Sequence, residues 1–247
     1  PYSAFRAKIR FAILVSELIL VRHGQASFGA ESYDKLSALG EEQVRILAQH
    51  WQKSDEKFDY LYSGELLRQR ETAQELLPLL KTQNTGSVIH AGLNEYDGTP
   101  IINIYLRDHH PVSSPVSLPI LDRKEFQKIF EAATSLWIRG ELQPSDVDVG
   151  FEFWTDFQSR VHGTMDELMA KHANGSRVIL STSGGVIALA LQRVLALPDA
   201  QVIAANWMVN NSSVTRIRYG GGRISLALFN GLSHLELPAL RDKITYR

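Results

Sequence analysis

Between Glu17 and Val21 the chain carries a short apolar, β-branched run that stops at Arg22-His23-Gly24. A run this short and this apolar reads as a strand buried on both faces. The period then changes. From Gly40 to Lys53, apolar Val44, Leu47, Ala48 and Trp51 recur at the spacing of one helical face. Asp59 to Tyr62 predicts a second strand. Glu65 to Leu80 predicts a second helix, with Ser63 as candidate N-cap and Glu65 in the first turn. Ser87 to Ala91 fits a third strand, Arg177 to Thr182 another buried one, and Val186 to Leu195 a helix opening after a glycine pair. Ser213 to Tyr219 and Arg223 to Phe229 both alternate and are separated by Gly220, Gly221 and Gly222, which signals a hairpin.

Strands alternating with helices predict an α/β fold of three layers, α/β/α. Its central sheet is expected to be mostly parallel, with an antiparallel edge strand supplied by the hairpin. Residues 99–150 break the rhythm. They hold Pro100, Pro111, Pro115, Pro119 and Pro144, the pair His109-His110, and an amphipathic stretch from Phe126 to Trp137. We read them as a helical lid insertion over the ligand end of the sheet. Residues 1–16 read as an N-terminal extension and 17–247 as one domain with its lid at about 99–150. In the extension, Arg6, Lys8 and Arg10 precede Phe11 to Val15, an apolar run too short for a secretory core.

Composition narrows the function classes. A chain of 247 residues can bury most of its surface without a covalent staple. The formal charge of −1, with no basic run, argues against nucleic acid as a main partner. No apolar stretch approaches the ~20 residues of a membrane span. There is no cysteine, so disulfides and thiolate metal sites are excluded, and a reducing, cytoplasmic compartment is the expectation.

In sheets of this kind ligands bind beyond the carboxyl ends of the strands. Four polar groups fall there: Arg22-His23-Gly24-Gln25, Arg68, Glu95 and Ser183-Gly184-Gly185. A neutral imidazole is a good nucleophile toward phosphorus. A guanidinium beside it can grip two phosphoryl oxygens, and a glycine leaves room for the incoming group. Arg68 falls early in its helix, whose N-terminus itself favours anions, whereas Arg70 reads as a solvated residue. A carboxyl with a raised pKa can protonate a leaving group and then activate water. Asp97, two residues beyond Glu95, is the rival for that role.

Taken in order, Leu20 to Gln25, Asp34 to Gly40, Ser63…Arg68…Thr72-Ala73, Leu93-Asn94-Glu95, Ser181 to Val186 and Asn211 to Thr215 resemble the histidine phosphatase superfamily, phosphoglycerate mutase-like branch. The likeness runs from about Glu17 to about His234. It implies a phosphate monoester hydrolase with no metal or organic cofactor, acting on a phosphorylated small molecule or phosphopeptide. His23 would be the phosphorylated residue, Glu95 the proton donor, and Arg22 and Arg68 the phosphate ligands. Gln25, Ser183 and Gly184 would complete the substrate pocket.

Two departures stand out. The family normally has a second histidine where this chain has Ser183, and many relatives have asparagine where it has Gly29. A hydroxyl can donate a hydrogen bond but brings no charge. Losing one preorganised donor costs on the order of 10²–10³ in rate. The backbone N–H groups of Ser183-Gly184-Gly185 offer a substitute anion site. The departures therefore leave open a weak or inactive phospho-ligand binding protein on the same fold. A phosphoglycerate mutase is disfavoured by the missing histidine.

Other features are read as structural. His109, His110, His162 and His172 lack metal-ligand spacing. His234 has a structural role, Gly220 to Gly222 is a turn, and Phe151, Phe153, Trp154 and Phe157 pack the lid onto the body.

Overall fold

The structure is a computed structural model that describes residues 14–27, 34–82, 86–109 and 123–246. Most of the expected N-terminal extension, together with Gly29, His110, Pro111, Pro115 and Pro119, lies outside the described residues. In chain order the elements are β1 (Ser16–Arg22), α1 (Ala38–Lys53), β2 (Tyr60–Ser63), α2 (Leu67–Leu76), β3 (Val88–Ile89), α3 (Gly98–Asp108), α4 (Arg123–Ile138), α5 (Trp154–Lys171), β4 (Arg177–Thr182), α6 (Gly184–Leu195), α7 (Asp199–Met208), β5 (Val214–Gly220) and β6 (Arg223–Gly231).

Among the described residues six strands form one sheet in the order β3-β2-β4-β1-β5-β6. The first four run parallel, β5 is antiparallel to β1, and β6 is antiparallel to β5. The expected three-layer α/β fold and its edge hairpin are therefore present. Side chains of a strand point alternately to opposite faces, and β1 divides accordingly. Leu18 and Leu20 join a core with α5, α6 and Trp137 of α4. Ile19 and Val21 join a separate core with Val44, Leu47 and Trp51 of α1 and Ala73 and Leu76 of α2. Burial on both sides explains why β1 reads as an uninterrupted apolar run.

Several boundaries differ from the sequence reading, each for a local reason. Ser16, assigned to the extension, is the buried first residue of β1, and its Oγ accepts the Gly175 N–H. Ser37 caps α1 by accepting the Gly40 N–H, so the helix starts two residues earlier than expected. The second helix is shorter than Glu65 to Leu80. Ser63 ends β2 and does not cap it; Leu66 holds the N-cap position, and the carboxylate of Asp34 accepts the Leu67 N–H at 2.7 Å instead. At the other end, Pro78 lacks the N–H that would continue the ladder, and the chain tightens into a 3₁₀ turn over Leu77–Leu79. The third strand shrinks to Val88–Ile89. Helix α7 has no counterpart in the sequence reading.

The region expected to be a lid supplies α3, capped by Asp97, and α4. They pack on each other, and α4 reaches α5 and α7. Trp137 of α4 meets Trp154 at 5.1 Å and Tyr96 at 4.7 Å between ring centroids. Trp154 and Phe157 thus join this region to the body as expected. Phe153 does not, since it lies exposed at the start of α5.

Candidate active site

The apolar run of β1 delivers Arg22 and His23 to the carboxyl end of the sheet. Arg22 pairs with Thr182 of β4 in register, and the His23 N–H donates to the Thr182 carbonyl at 2.9 Å. His23 therefore lies beside Ser183, the next residue of β4's continuation. Its own carbonyl accepts from the Asn211 side-chain amide and the Ser212 N–H, both at 3.3 Å. Ser212 sits in the left-handed region, at φ +57°, to make that bond and a second to the Arg22 carbonyl.

The ring of His23 is buried and oriented. Its Nδ1 is 2.7 Å from the Gly24 carbonyl. A carbonyl only accepts, so Nδ1 carries the proton and the Nε2 lone pair is the reactive one. Arg68 Nε donates to that Nε2 at 3.2 Å. Burial, then the charges of Arg68 and Arg22, hold the His23 pKa well below the usual imidazole value. The ring is thus neutral across the physiological range. Arg68 also pairs with Asp34. Arg22 donates to the carbonyls of Val209 and Tyr246, which draws the C-terminal segment to the site. Arg70 is exposed, as expected.

Glu95 meets the first turn of α6, just beyond the carboxyl end of β4. One carboxylate oxygen accepts the Gly185 N–H at 2.9 Å, the other the Tyr96 N–H at 3.3 Å. Burial pushes its pKa up, while the Gly185 N–H, Arg68 and Arg22 pull the other way; the net direction is upward. A Cβ on Gly185 would lie 2.3 Å from the carboxylate, so only glycine admits the acid here. The turn before Glu95 is fastened by Arg160, whose guanidinium donates to the carbonyls of Ala91, Gly92 and Asn94 and pairs with Glu152. Asp97, the rival acid, is exposed and accepts the Thr99 N–H as the cap of α3.

Three expected pocket residues have jobs that the sequence did not announce. Ser183 is buried, and its Oγ accepts from Gln69 Nε2 at 2.9 Å. Of the backbone N–H groups thought to form an anion site, that of Gly185 is given to Glu95. A Cβ on Gly184 would lie 2.3 Å from Asn206 Oδ1, so this glycine provides close packing with α7. The amide oxygen of Gln25 accepts from the Ser37 hydroxyl, and its N–H donates to Gln43, tying the motif to α1. Gly24 is also a packing residue: its missing Cβ would sit 2.3 Å from the Gly40 carbonyl oxygen, and its N–H donates to Thr72. The space it leaves is filled by the backbone of α1. Gln69 and Arg160 were not singled out from sequence, and Asp34 and Asn211 entered only as the first residues of matched segments, because each acts through contacts between distant segments.

Three other histidines hold structural contacts. His172 meets the Tyr62 hydroxyl at 2.8 Å, His162 the Leu189 carbonyl at 3.1 Å, and His234 the Ser212 hydroxyl at 2.9 Å. Among the described residues no cluster of histidine, aspartate and glutamate could hold a metal ion, and no helix is long and apolar enough to cross a membrane.

Residues 18–101 and 120–231 match the histidine phosphatase superfamily (branch 1), a span that includes His23, both arginines, Glu95 and the β4–α6 turn. The chain belongs to that superfamily. Solved structures share the fold at low identity. A phosphoglycerate mutase from Bacillus anthracis is 20% identical at a TM-score of 0.63, over 90% of this chain and 96% of that one. A mutant phosphoserine phosphatase from Entamoeba histolytica, in complex with phosphoserine, is 18% identical at 0.60, over 89% and 99%. A mycobacterial glucosyl-3-phosphoglycerate phosphatase is 21% identical at 0.61, over 88% and 99%. No curated protein sequence matches the chain.

Proposed function

We propose that this protein is a phosphohydrolase that cleaves phosphate monoesters through a phosphohistidine on His23. The observation that carries this reading is the tautomer of His23: Gly24 fixes the proton on Nδ1 and leaves the Nε2 lone pair beside Arg68. Superfamily membership supports it, as does a fold shared with phosphatases and a mutase.

In the first step Nε2 attacks phosphorus and the ester P–O bond breaks. Glu95, which burial lets hold its proton to higher pH than an ordinary carboxyl, gives that proton to the departing oxygen. In the second step the Glu95 carboxylate takes a proton from water, the oxygen of that water attacks phosphorus, and the P–N bond to His23 breaks. Arg68 and Arg22 offset the charge on the transferring group. For this Arg68 keeps Asp34 as its counter-ion while turning its Nε–H from His23 to a phosphoryl oxygen. Ser183 and the first turn of α6 line the pocket, and Gln25 anchors the loop behind the nucleophile. Helices α3 and α4 form the lid of the single domain. A phosphorylated small molecule or phosphopeptide fits this site.

The test is hydrolysis of an aryl phosphate without added metal, with an alkaline quench to trap acid-labile phosphohistidine. Wild type should turn over and carry label, and His23→Ala should do neither. Equal turnover in His23→Ala would overturn the proposal. The second reading, a phospho-ligand binding protein, is favoured by one observation: Arg22 and Arg68 already hold internal acceptors. It predicts phosphate binding without turnover. A mutase would need a bisphosphorylated primer for flux.

A further inference from the structure

Ser183 occupies the N-cap position of α6 and yet makes no capping bond. A serine there ordinarily accepts an N–H of the first turn. Here the Gly185 N–H goes to Glu95, and the serine oxygen goes elsewhere, to Gln69. Gln69 is wholly buried on α2, one residue after Arg68. The orientation of its amide is fixed by chemistry. The amide atom 2.9 Å from the Leu93 carbonyl oxygen must be the nitrogen, because that oxygen can only accept. The same nitrogen lies 2.9 Å from Ser183 Oγ, so its two hydrogens are divided between Leu93 and Ser183. Ser183 is therefore an acceptor toward Gln69. Its own O–H proton has no acceptor among the described residues, which leaves it for a ligand.

We propose that Gln69 is a positioning residue which holds the Ser183 hydroxyl as a hydrogen-bond donor to the phosphoryl group. The inference rests on the pocket being a phosphoryl site, as argued above. The geometry costs something elsewhere: Gln69 Oε1 is buried without a hydrogen-bond partner, and a Cβ on Gly64 would lie 1.9 Å from it. A merely packing side chain would not need an amide with a buried, unpaired oxygen. An apolar residue of the same length would fill the space without burying an orphan oxygen.

The experiment is calorimetric binding of inorganic phosphate to wild type, Ser183→Ala, Gln69→Met and the double variant. Methionine keeps the buried volume of Gln69, which guards against collapse of the site. One hydrogen bond to a charged oxygen corresponds to roughly a ten-fold change in affinity. Ser183→Ala should weaken phosphate by about that factor. Gln69→Met should weaken it several-fold in the Ser183 background and not further in Ser183→Ala. Independent, multiplying losses would overturn the proposal, as would unchanged affinity in Gln69→Met or no phosphate binding in wild type. Turnover of an aryl phosphate is read in parallel. No turnover with the coupled binding pattern intact would sink the hydrolase reading and leave this inference standing. Turnover with uncoupled losses would do the reverse.

Discussion

The carboxylate of Glu95 accepts the Gly185 N–H at 2.9 Å, which seats the acid of the site on the first turn of α6. A helix N-terminus favours the charged form of a carboxyl, and burial favours the neutral one. Burial wins, and the pKa moves up. His23 moves the other way, its pKa held well below the usual value by burial and by Arg68 and Arg22. The two shifts push apart the conditions under which each group works. His23 stays neutral, and so nucleophilic, below the pH at which a free imidazole would protonate. Glu95 stays protonated above the usual carboxyl range. With a poor leaving group, kcat/KM should fall as pH rises through the raised Glu95 value. Glu95→Gln should cost on the order of 10²–10⁴ with an alkyl phosphate, much less with p-nitrophenyl phosphate, and should remove that alkaline limb. Equal losses on both substrates would mean that Glu95 is not the proton donor.

Gly185→Ala tests the same contact without touching the acid. Alanine is the better helix former by up to about 1 kcal/mol, so the fold should survive. Its Cβ would lie 2.3 Å from Glu95 Oε1 and 3.0 Å from the Tyr96 ring, so the carboxylate must move. We expect a loss on alkyl phosphates that approaches that of Glu95→Gln, with thermal stability unchanged or higher. A stable variant of full activity would show that the acid works from another position.

Much of this arrangement is legible in the chain. Burial on both faces writes β1, β4 and their sheet into the sequence as apolar runs, and a strand that ends in Arg22-His23 carries its chemistry with it. The helical pattern of α1 is equally plain. What stays illegible depends on contacts between distant segments. Asp34 caps α2 across 33 positions, and nothing near Ser63 reveals that the expected cap is vacant. Gly24 is indispensable because Gly40 approaches it, a fact of packing and not of local pattern. Gln69 reads as an ordinary polar helix residue until Ser183 and Leu93 are seen beside it. Helix α7 fails for another reason: most of its residues are apolar or small, with no clean polar face to mark a period.

Gly24→Ala should therefore destabilise the protein and not merely crowd the substrate. The added methyl would lie 2.3 Å from the Gly40 oxygen and 2.8 Å from its carbonyl carbon, both backbone atoms that cannot swing aside. Overpacking of this kind costs about 1–3 kcal/mol or more. Denaturant midpoints would measure it. A variant with wild-type stability but impaired phosphate binding would return Gly24 to a purely ligand-facing role.

Ser183→His would restore the residue that the superfamily resemblance places at this position, but the space is taken. Gln69 Nε2 lies 2.9 Å from Ser183 Oγ in a fully buried setting. An imidazole must displace that amide, so the single variant should lose stability by about 1–3 kcal/mol and gain little activity. Combined with Gln69→Ala, the ring has room and can donate to the phosphoryl group, and kcat should exceed that of Ser183→His alone by ten-fold or more. A single variant as stable and more active than wild type would show that Gln69 yields freely.

His234 links the site to acid stability. It is buried, with Nε2 2.9 Å from the Ser212 hydroxyl, Nδ1 without a partner and the His50 ring 6.5 Å away. Burial first, and then His50, lower its pKa to about 4. The folded state therefore refuses a proton that the unfolded chain accepts near pH 6.5. Its contribution is fully present above that pH and is lost as pH falls through about 4, with a limiting slope of about 1.4 kcal/mol per pH unit. The total is about 3 kcal/mol at most. His23 is depressed in the same direction, so wild type alone cannot separate the two. Chemical denaturation of wild type and His234→Gln from pH 7 to pH 4 makes the separation, since glutamine can still reach Ser212 and does not titrate. The two curves should converge as pH falls, with wild type losing stability faster. Because Ser212 donates its N–H to the carbonyls of both Arg22 and His23, the same titration should lower phosphate affinity in wild type before global unfolding. Parallel stability curves would mean that protonation of His234 is not what weakens the fold in acid.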